Sequence, residues 1–221
     1  MNGPLIMVDL DNTLVDRQAA IRRWARSFTE EHGGSVEDVE WLIAVDGDGG
    51  TARETLAAAG IQRFGSSRSC SDVALELRTG IVERSDLFPG AVEGLREMRE
   101  LGCVVVCVTN GSILGQRATL QATGLAEEFD SVIISEAVGL RKPDPGIFYR
   151  AADSVLAPLN WSWMVGDSPM ADVLGAAALG CRTAWIRRGR TWAAELRAPD
   201  MTIDRAAEGF SQILRLDGMA Y

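Results

Sequence analysis

The side chains with the most chemistry to offer lie in four polar clusters: Asp9-Leu10-Asp11-Asn12-Thr13, Thr109-Asn110-Gly111, Arg141-Lys142-Pro143, and Gly166-Asp167-Ser168 with Asp172. Together they hold a nucleophile, hydroxyl and amide donors, a cation, and carboxylates able to hold a metal. That inventory suits phosphoryl transfer, in which positioning and charge stabilisation do most of the work. An aspartate that attacks phosphorus forms an aspartyl-phosphate and splits hydrolysis into two displacements, which makes Asp9 a candidate nucleophile. Asp11, released from strand alternation by the polar Asp-Asn-Thr turn, can protonate the leaving alkoxide and later deprotonate the attacking water. Thr109 can donate its hydroxyl to a phosphate oxygen, and the amides of Asn110 and Gly111 can form an anion-binding nest at a helix start. Lys142 can neutralise charge on the phosphoryl group and on Asp9. Pro143 and Pro145 stiffen the loop that carries it.

The chemistry requires a further cation. Two unit charges about 4 Å apart repel by roughly 4 kcal/mol at an effective dielectric of 20, which left uncompensated is about a thousandfold in rate. Mg2+ takes oxygen ligands, commonly one or two carboxylates completed by water and phosphate. Asp9 and Asp167 can supply those carboxylates if a parallel sheet brings their strand ends together. Each cluster alone has a plainer reading, because acidic pairs at strand ends are often solvated turns or helix caps. Their order, each after an apolar strand-like run, carries the specificity.

The elements that would position them follow from periodicity. Residues 5–10 (LIMVDL) form an apolar run that reads as a strand buried on both faces. From residue 16 to 86 the pattern is helical, as in Ala20, Ile21, Trp24 and Phe28 and again in Val73, Leu77 and Ile81, with breaks at 46–50 and at Gly65-Ser66-Ser67. After Phe88-Pro89-Gly90, helices over 91–101, 113–123, 145–156 and 170–179 alternate with strands over 104–108, 132–135, 163–165 and 183–186. A last edge strand at Met201–Ile203 and a helix over 206–214 complete the chain. This alternation predicts an α/β fold, a doubly wound parallel sheet with sites at the strands' C-terminal ends. The expected division is a core of residues 1–15 and 87–221 with an inserted all-helical domain, 16–86.

On these motifs the chain resembles the haloacid dehalogenase superfamily, in its phosphatase branch with a helical cap. The family's first motif, an apolar strand followed by DxDx(T/V), reads Ile6-Met7-Val8-Asp9-Leu10-Asp11-Asn12-Thr13. Its second reads Val104-Val105-Val106-Cys107-Val108-Thr109, its third is Lys142 in Gly139-Leu140-Arg141-Lys142-Pro143, and its fourth, GDxxxxD, runs from Gly166 to Asp172. The resemblance implies that Asp9 is the nucleophile and Asp11 the acid and base. It also implies that Mg2+ is bound by Asp9, the Asp11 backbone carbonyl and Asp167, with Asp172 a neighbouring or alternative ligand. The helical block sits where the family inserts its cap, which closes over the site and selects substrate. A sugar phosphomutase keeps both aspartates and stays open as an alternative. A haloacid dehalogenase lacks the second acidic residue, and a phospho-receiver domain has no insertion after its first strand.

Composition bounds the partners. With 47% hydrophobic and 24% charged residues in 221, the chain is long enough for one core plus a small insertion and is not of disordered type. A net charge of -9 argues against a nucleic-acid partner. It leaves a small phosphorylated metabolite open, since a metal and a few cations reverse the potential inside one cleft. Neither common nucleotide-binding loop, GxGxxG or GxxxxGK(S/T), occurs. No signal segment or membrane span is evident, so the expected location is the cytoplasm without a membrane partner. Cys70, Cys103, Cys107 and Cys181 show no CxxC spacing and read as small buried hydrophobes. His32 reads as surface or helix-terminal, Trp24, Trp41, Trp161 and Trp163 as packing residues, and Arg187-Arg188-Gly189-Arg190 as a solvated loop, with a dimer contact or the cleft rim as the alternative. The turn at 46–50 with Arg53 reads as solvated, with a reader of the leaving group as the alternative. Monomer and homodimer are both compatible with the sequence.

Overall fold

The computed structural model describes residues 3–218. β1 (Leu5–Val8) is buried at all four positions, as a central strand of a parallel sheet must be. It ends before Asp9 because the chain curls: the Leu10 carbonyl accepts the amides of Leu14 (3.0 Å) and Val15 (3.1 Å), and Asn12 takes a φ of 61°, which its short polar side chain tolerates. The strand expected over 5–10 is therefore shorter, and Asp9 and Asp11 sit in the turn.

The chain divides into two compact units. Unit Asp16–Asp86 holds α1 (Arg17–Glu31), α2 (Val36–Asp46), α3 (Arg53–Phe64) and α4 (Cys70–Glu83). Local chemistry sets their ends. The side chains of Asp16 and Ser69 accept the amides of Ala19 and Asp72, Ser35 and Asp38 form a capping box, and Gly47 and Gly65 close α2 and α3 in the left-handed conformation. Ile21, Trp24 and Phe28 of α1 pack with Leu42, Leu56, Val73 and Leu77, each buried side chain contributing roughly 1.5–3 kcal/mol. His32 caps α1, and its ring nitrogens hydrogen-bond with the Phe28 carbonyl (2.8 Å) and the Ser66 hydroxyl (3.0 Å).

The other unit continues with α5 (Ala91–Glu100), β2 (Val104–Thr109), α6 (Ile113–Ala122), a 3-10 turn at Leu125–Glu128, β3 (Ser131–Ile134), α7 (Ser135–Val138) and α8 (Pro145–Ser154). Then come β4 (Trp163–Gly166), a π-helix at Pro169–Leu174, α9 (Gly175–Ala177), β5 (Arg182–Ile186), β6 (Met201–Ile203) and α10 (Ala206–Leu216). The six strands form one all-parallel sheet in the order β3-β2-β1-β4-β5-β6. Ile6 and Val8 join one apolar cluster, with Phe210 and Ile213 of α10, while Leu5 and Met7 join another, with Phe148 of α8. Period-two alternation thus feeds two cores, one on each face, and the fold is the doubly wound α/β sheet read from the sequence. The order reverses at β1, between β2 and β4, so the loops after β1, β2 and β4 open together at one end of the sheet.

Three further expectations about the elements and their packing need correction. The helix expected over 170–179 is a π-turn followed by a short α-turn, with the Val173 amide bonding the Ser168 carbonyl at 3.2 Å, five residues back. Trp161 is 75% exposed in a left-handed turn (φ 72°) rather than packed, and Cys70 is exposed at the start of α4, unlike the three buried cysteines. Trp24 and Trp163 are buried as expected. Among the described residues no helix is long and apolar enough to cross a membrane.

Candidate active site

Asp9 is the first residue past β1, and its amide still bonds Val165 of β4 (2.9 Å), which fixes its backbone against the sheet. Its carboxylate is buried: Oδ1 accepts from Lys142 Nζ at 2.7 Å and Oδ2 from the Thr13 hydroxyl at 3.1 Å. Lys142 Nζ also donates to the Val108 carbonyl (2.5 Å) and lies 2.8 Å from Asp172 Oδ1. Oxygens of Asp9, Asp167 and Asp172 come within 4.8 Å of one another. The π-turn places Asp172, whose Oδ2 accepts the Ser168 amide at 2.9 Å. Gly166 is required for this approach, since a Cβ there would stand 2.3 Å from that same oxygen.

One ammonium serves two buried carboxylates. Burial pushes the Asp9 carboxyl up, Lys142 pulls it back, and repulsion from Asp172 and Asp11 leaves it at about 7. Asp172 is likewise raised, by burial first and then by Asp167, against the pull of Lys142. For Lys142, burial favours the neutral amine, but Asp172 and Asp9 outweigh it and hold the ammonium charged. The pair Asp9 and Asp172 is therefore short of positive charge, and both carboxyls are held above the usual carboxylate range. Three buried carboxylates converging within 4.8 Å of one another, all hard oxygen donors, are a donor set that fits a divalent cation of the magnesium type.

The remaining residues singled out from the sequence are distributed unevenly. Thr109 ends β2 and is buried, with its Oγ1 accepting from Gln116 Nε2 at 2.5 Å. Asn110 grips the backbone of Lys142, donating to its carbonyl (3.0 Å) and accepting its amide (2.9 Å), so its side chain places the lysine loop. The Gly111 amide is engaged by Ser135 Oγ at 3.0 Å, which removes it from the nest expected for phosphate. Asp11 sits apart from the carboxylate cluster, and its Oδ2 accepts from Gln116 Nε2 at 3.1 Å.

Sequence reading named Thr13 without giving it a role, passed over Gln116 and Ser135, and gave the arginine loop only a default solvated place. Arg188 Nη1 and Arg190 Nη2 each lie 3.0 Å from Asp167 Oδ2, and Arg190 and the Trp185 indole also donate to the Asp167 carbonyl (2.6 and 3.0 Å). The loop after β5 is thus exposed at Arg187, Gly189 and Arg190 yet anchored on the site through Arg188 and Arg190, while Arg187 turns away to Asp204. Thr13 was legible, four residues after Asp9 inside the first motif, whereas Gln116 carried no local signal. In the helical unit, the turn at 46–50 exposes Gly47, Asp48 and Gly50 as expected, and its first residue does not follow them. Asp46 is buried, bound by Arg17 in a two-pronged pair (2.7 and 2.8 Å), by Arg53 (3.2 Å) and by the Gly49 amide (2.9 Å).

The model of the haloacid dehalogenase-like hydrolases matches residues 4–180. The chain belongs to that family. Among curated proteins, the haloacid dehalogenase-like relatives include phosphoserine phosphatase of Thermus thermophilus, 30% identical over 88% of this chain and 79% of its own. Another is phosphoglycolate phosphatase of Rhodobacter capsulatus, 27% identical over 75% of this chain and 76% of its own. Among solved structures, the magnesium-bound haloacid dehalogenase-type hydrolase YfnB of Bacillus subtilis superposes with a TM-score of 0.78, covering 96% of this chain and 99% of that one at 20% identity. The structural likeness shows the shared fold, and the sequence relatives place this hydrolase in the family's phosphatase branch.

Proposed function

We propose that this haloacid dehalogenase-like hydrolase is a magnesium-dependent phosphatase that hydrolyses the phosphate monoester of a small metabolite through an aspartyl-phosphate on Asp9. The observation that carries the reading is the pair of buried carboxylates, Asp9 and Asp172, drawn onto the single ammonium of Lys142, with Asp11 held apart from them by a different partner. A dehalogenase has no use for that second, separately held carboxyl. The names of the phosphoserine and phosphoglycolate phosphatase relatives support the same class of substrate.

In the proposed reaction an Asp9 carboxylate oxygen attacks phosphorus, the bond from phosphorus to the ester oxygen breaks, and Asp11 gives its proton to the departing alkoxide. Water then attacks the aspartyl-phosphate, Asp11 takes the proton back, and inorganic phosphate leaves Asp9 ionised. Lys142 Nζ, already on Asp9 Oδ1, counters the charge that gathers on the phosphoryl oxygens, and the Thr109 hydroxyl supplies a neutral donor. Asp9, Asp167 and the Asp11 carbonyl would hold Mg2+, with Asp172 beside them, and the bound ion supplies the positive charge that lets an anionic nucleophile meet an anionic ester. The Asn110 side chain acts through the Lys142 backbone. Within this reading the helical unit Asp16–Asp86 is the cap in which substrate choice resides.

The test is a panel of metabolite phosphates, phosphoserine and phosphoglycolate among them, assayed for released phosphate with Mg2+, with EDTA, and with Asp9→Asn. Release that depends on Mg2+ and on Asp9 is expected, without a sugar bisphosphate activator. A wild type matched by Asp9→Asn, or indifferent to EDTA, would end the proposal, and a requirement for the activator would turn it to a phosphomutase.

A further inference from the structure

Gln116, on the first turn of α6, is 93% buried (7% exposed), and its amide nitrogen touches both Asp11 Oδ2 (3.1 Å) and Thr109 Oγ1 (2.5 Å). We propose that Gln116 is the positioning residue of the reaction, deciding which oxygen of Asp11 carries the transferable proton and which way the Thr109 hydroxyl points. The inference rests on the phosphatase reading above and adds a residue to it.

Hydrogen-bond chemistry sets the polarity. The end of the Gln116 amide that faces both Asp11 Oδ2 and Thr109 Oγ1 is the NH2 group. That group has two hydrogens and no acceptor capacity. One hydrogen goes to Asp11 Oδ2 and the other to Thr109 Oγ1, so Thr109 is an acceptor toward Gln116, and its own hydroxyl hydrogen is kept for an acceptor elsewhere, such as a phosphoryl oxygen. By the same logic Oδ2 of Asp11 cannot carry a proton facing Nε2 without a clash of two hydrogens. The proton that passes to the leaving group therefore resides on Oδ1. One amide thus orders a proton donor for the ester oxygen and a hydrogen-bond donor for the phosphoryl group.

The backbone makes room for this arrangement. A Cβ on Gly111 would stand 2.8 Å from both Cγ and Cδ of Gln116, so a side chain there has to displace the glutamine. The α6 start is fixed independently, by Ser112 Oγ accepting the Gly115 amide (3.1 Å) and by Glu136 accepting the Ile113 amide (2.6 Å). Gln116 is therefore delivered from a capped helix end to a glycine-sized gap, in the manner of a side chain held for function.

Leaving-group dependence tests the role. An alkyl phosphate such as glycerol phosphate needs a proton on its departing oxygen, whereas p-nitrophenyl phosphate leaves readily without one. The ratio of kcat/KM for the two esters therefore reports the proton donor in the phosphorylation of Asp9. Gln116→Met, Gln116→Glu, which keeps the shape and loses the donors, and Gly111→Ala are compared with wild type and with Asp11→Asn, each after an unfolding curve shows a native midpoint. The alkyl-to-aryl ratio is expected to fall at least about tenfold in the Gln116 variants, part of the roughly 100-fold or greater loss expected for Asp11→Asn. Gly111→Ala should move the same way. Equal losses on both esters, or no loss, in the correctly folded Gln116 variants overturns the proposal. If Asp11→Asn itself leaves the ratio unchanged, or the wild type releases no phosphate from either ester, the phosphatase reading fails and the proposal falls with it.

Discussion

Asp46 in the helical unit and Asp9 in the sheet unit are both buried aspartates paired with a cation, yet their surroundings push them in opposite directions. Burial opposes ionisation at Asp46, but the two-pronged Arg17 pair, Arg53 and the Gly49 amide outweigh it and hold its carboxyl below the usual value. At Asp9 the single ammonium is shared with Asp172, and the carboxyl is raised to about 7. A carboxylate with more donors than it needs fastens loops together. A carboxylate short of positive charge is held ready for a cation or substrate that arrives later.

The largest expected effect separates the two sites at a stroke. Asp9→Asn should lower phosphatase turnover by about a thousandfold or more while leaving the denaturant midpoint at or above that of wild type, because it relieves repulsion with Asp172. Asp46→Asn should cost roughly 3–5 kcal/mol of stability, since it leaves the Arg17 guanidinium buried without that carboxylate. Loss of stability of similar size in both variants would erase the contrast.

A pH series sharpens it, because the signs differ. In EDTA, the folded protein keeps a proton on the Asp9 pair between about pH 4 and 7 that the unfolded chain, with an ordinary value of 3.8, has released. The wild type should therefore lose up to a few kcal/mol relative to Asp9→Asn as pH rises through that window, with no further change above it. Asp46, depressed in the folded state, contributes stability that is present above the ordinary carboxylate value and lost as pH falls through its lowered one. Urea midpoints of wild type, Asp9→Asn and Asp46→Asn at pH 4.5 and 7.5 read the Asp9 slope, which should be missing only from Asp9→Asn.

Addition of Mg2+ should flatten that slope and raise stability by about 2.7 kcal/mol at a hundred times its Kd. The shift should persist in Asp46→Asn and vanish in Asp167→Asn, as thermal unfolding with and without the ion would show. The smallest effect belongs to the loop after β5. Arg190 sets its guanidinium on Asp167 Oδ2, so Arg190→Gln should tighten Mg2+ binding about twofold to fivefold, close to the worth of a partly exposed ion pair, measured by calorimetry. Weaker binding would mean that the arginine orients Asp167 instead of competing for it.

How much of this was legible depends on how far apart the interacting residues lie in the chain. Leu5 to Val8, Val104 to Thr109 and Trp163 to Gly166 announce themselves as buried strands because a strand covered on both faces has to be apolar throughout, and the parallel α/β sheet followed from their alternation with helices. The polar residues just past those strands were visible for the same reason, since an apolar run stops where solvent or substrate begins. By contrast, the helix expected at 170–179 failed because Asp172 bends its turn toward Lys142, a partner thirty residues away that outweighs local helical preference.

Sequence by itself thus determined the class of fold and the inventory of reactive groups, because apolar periodicity and residue type are local properties. Tertiary structure alone decided which groups share charge: that Asp9 and Asp172 compete for Lys142, that Arg188 and Arg190 fold onto Asp167, and that Gln116 spans Asp11 and Thr109 through a gap left by Gly111. Electrostatic and hydrogen-bond energies act over a few ångströms of space, and separation along the chain carries almost no information about that distance until the sheet order is known.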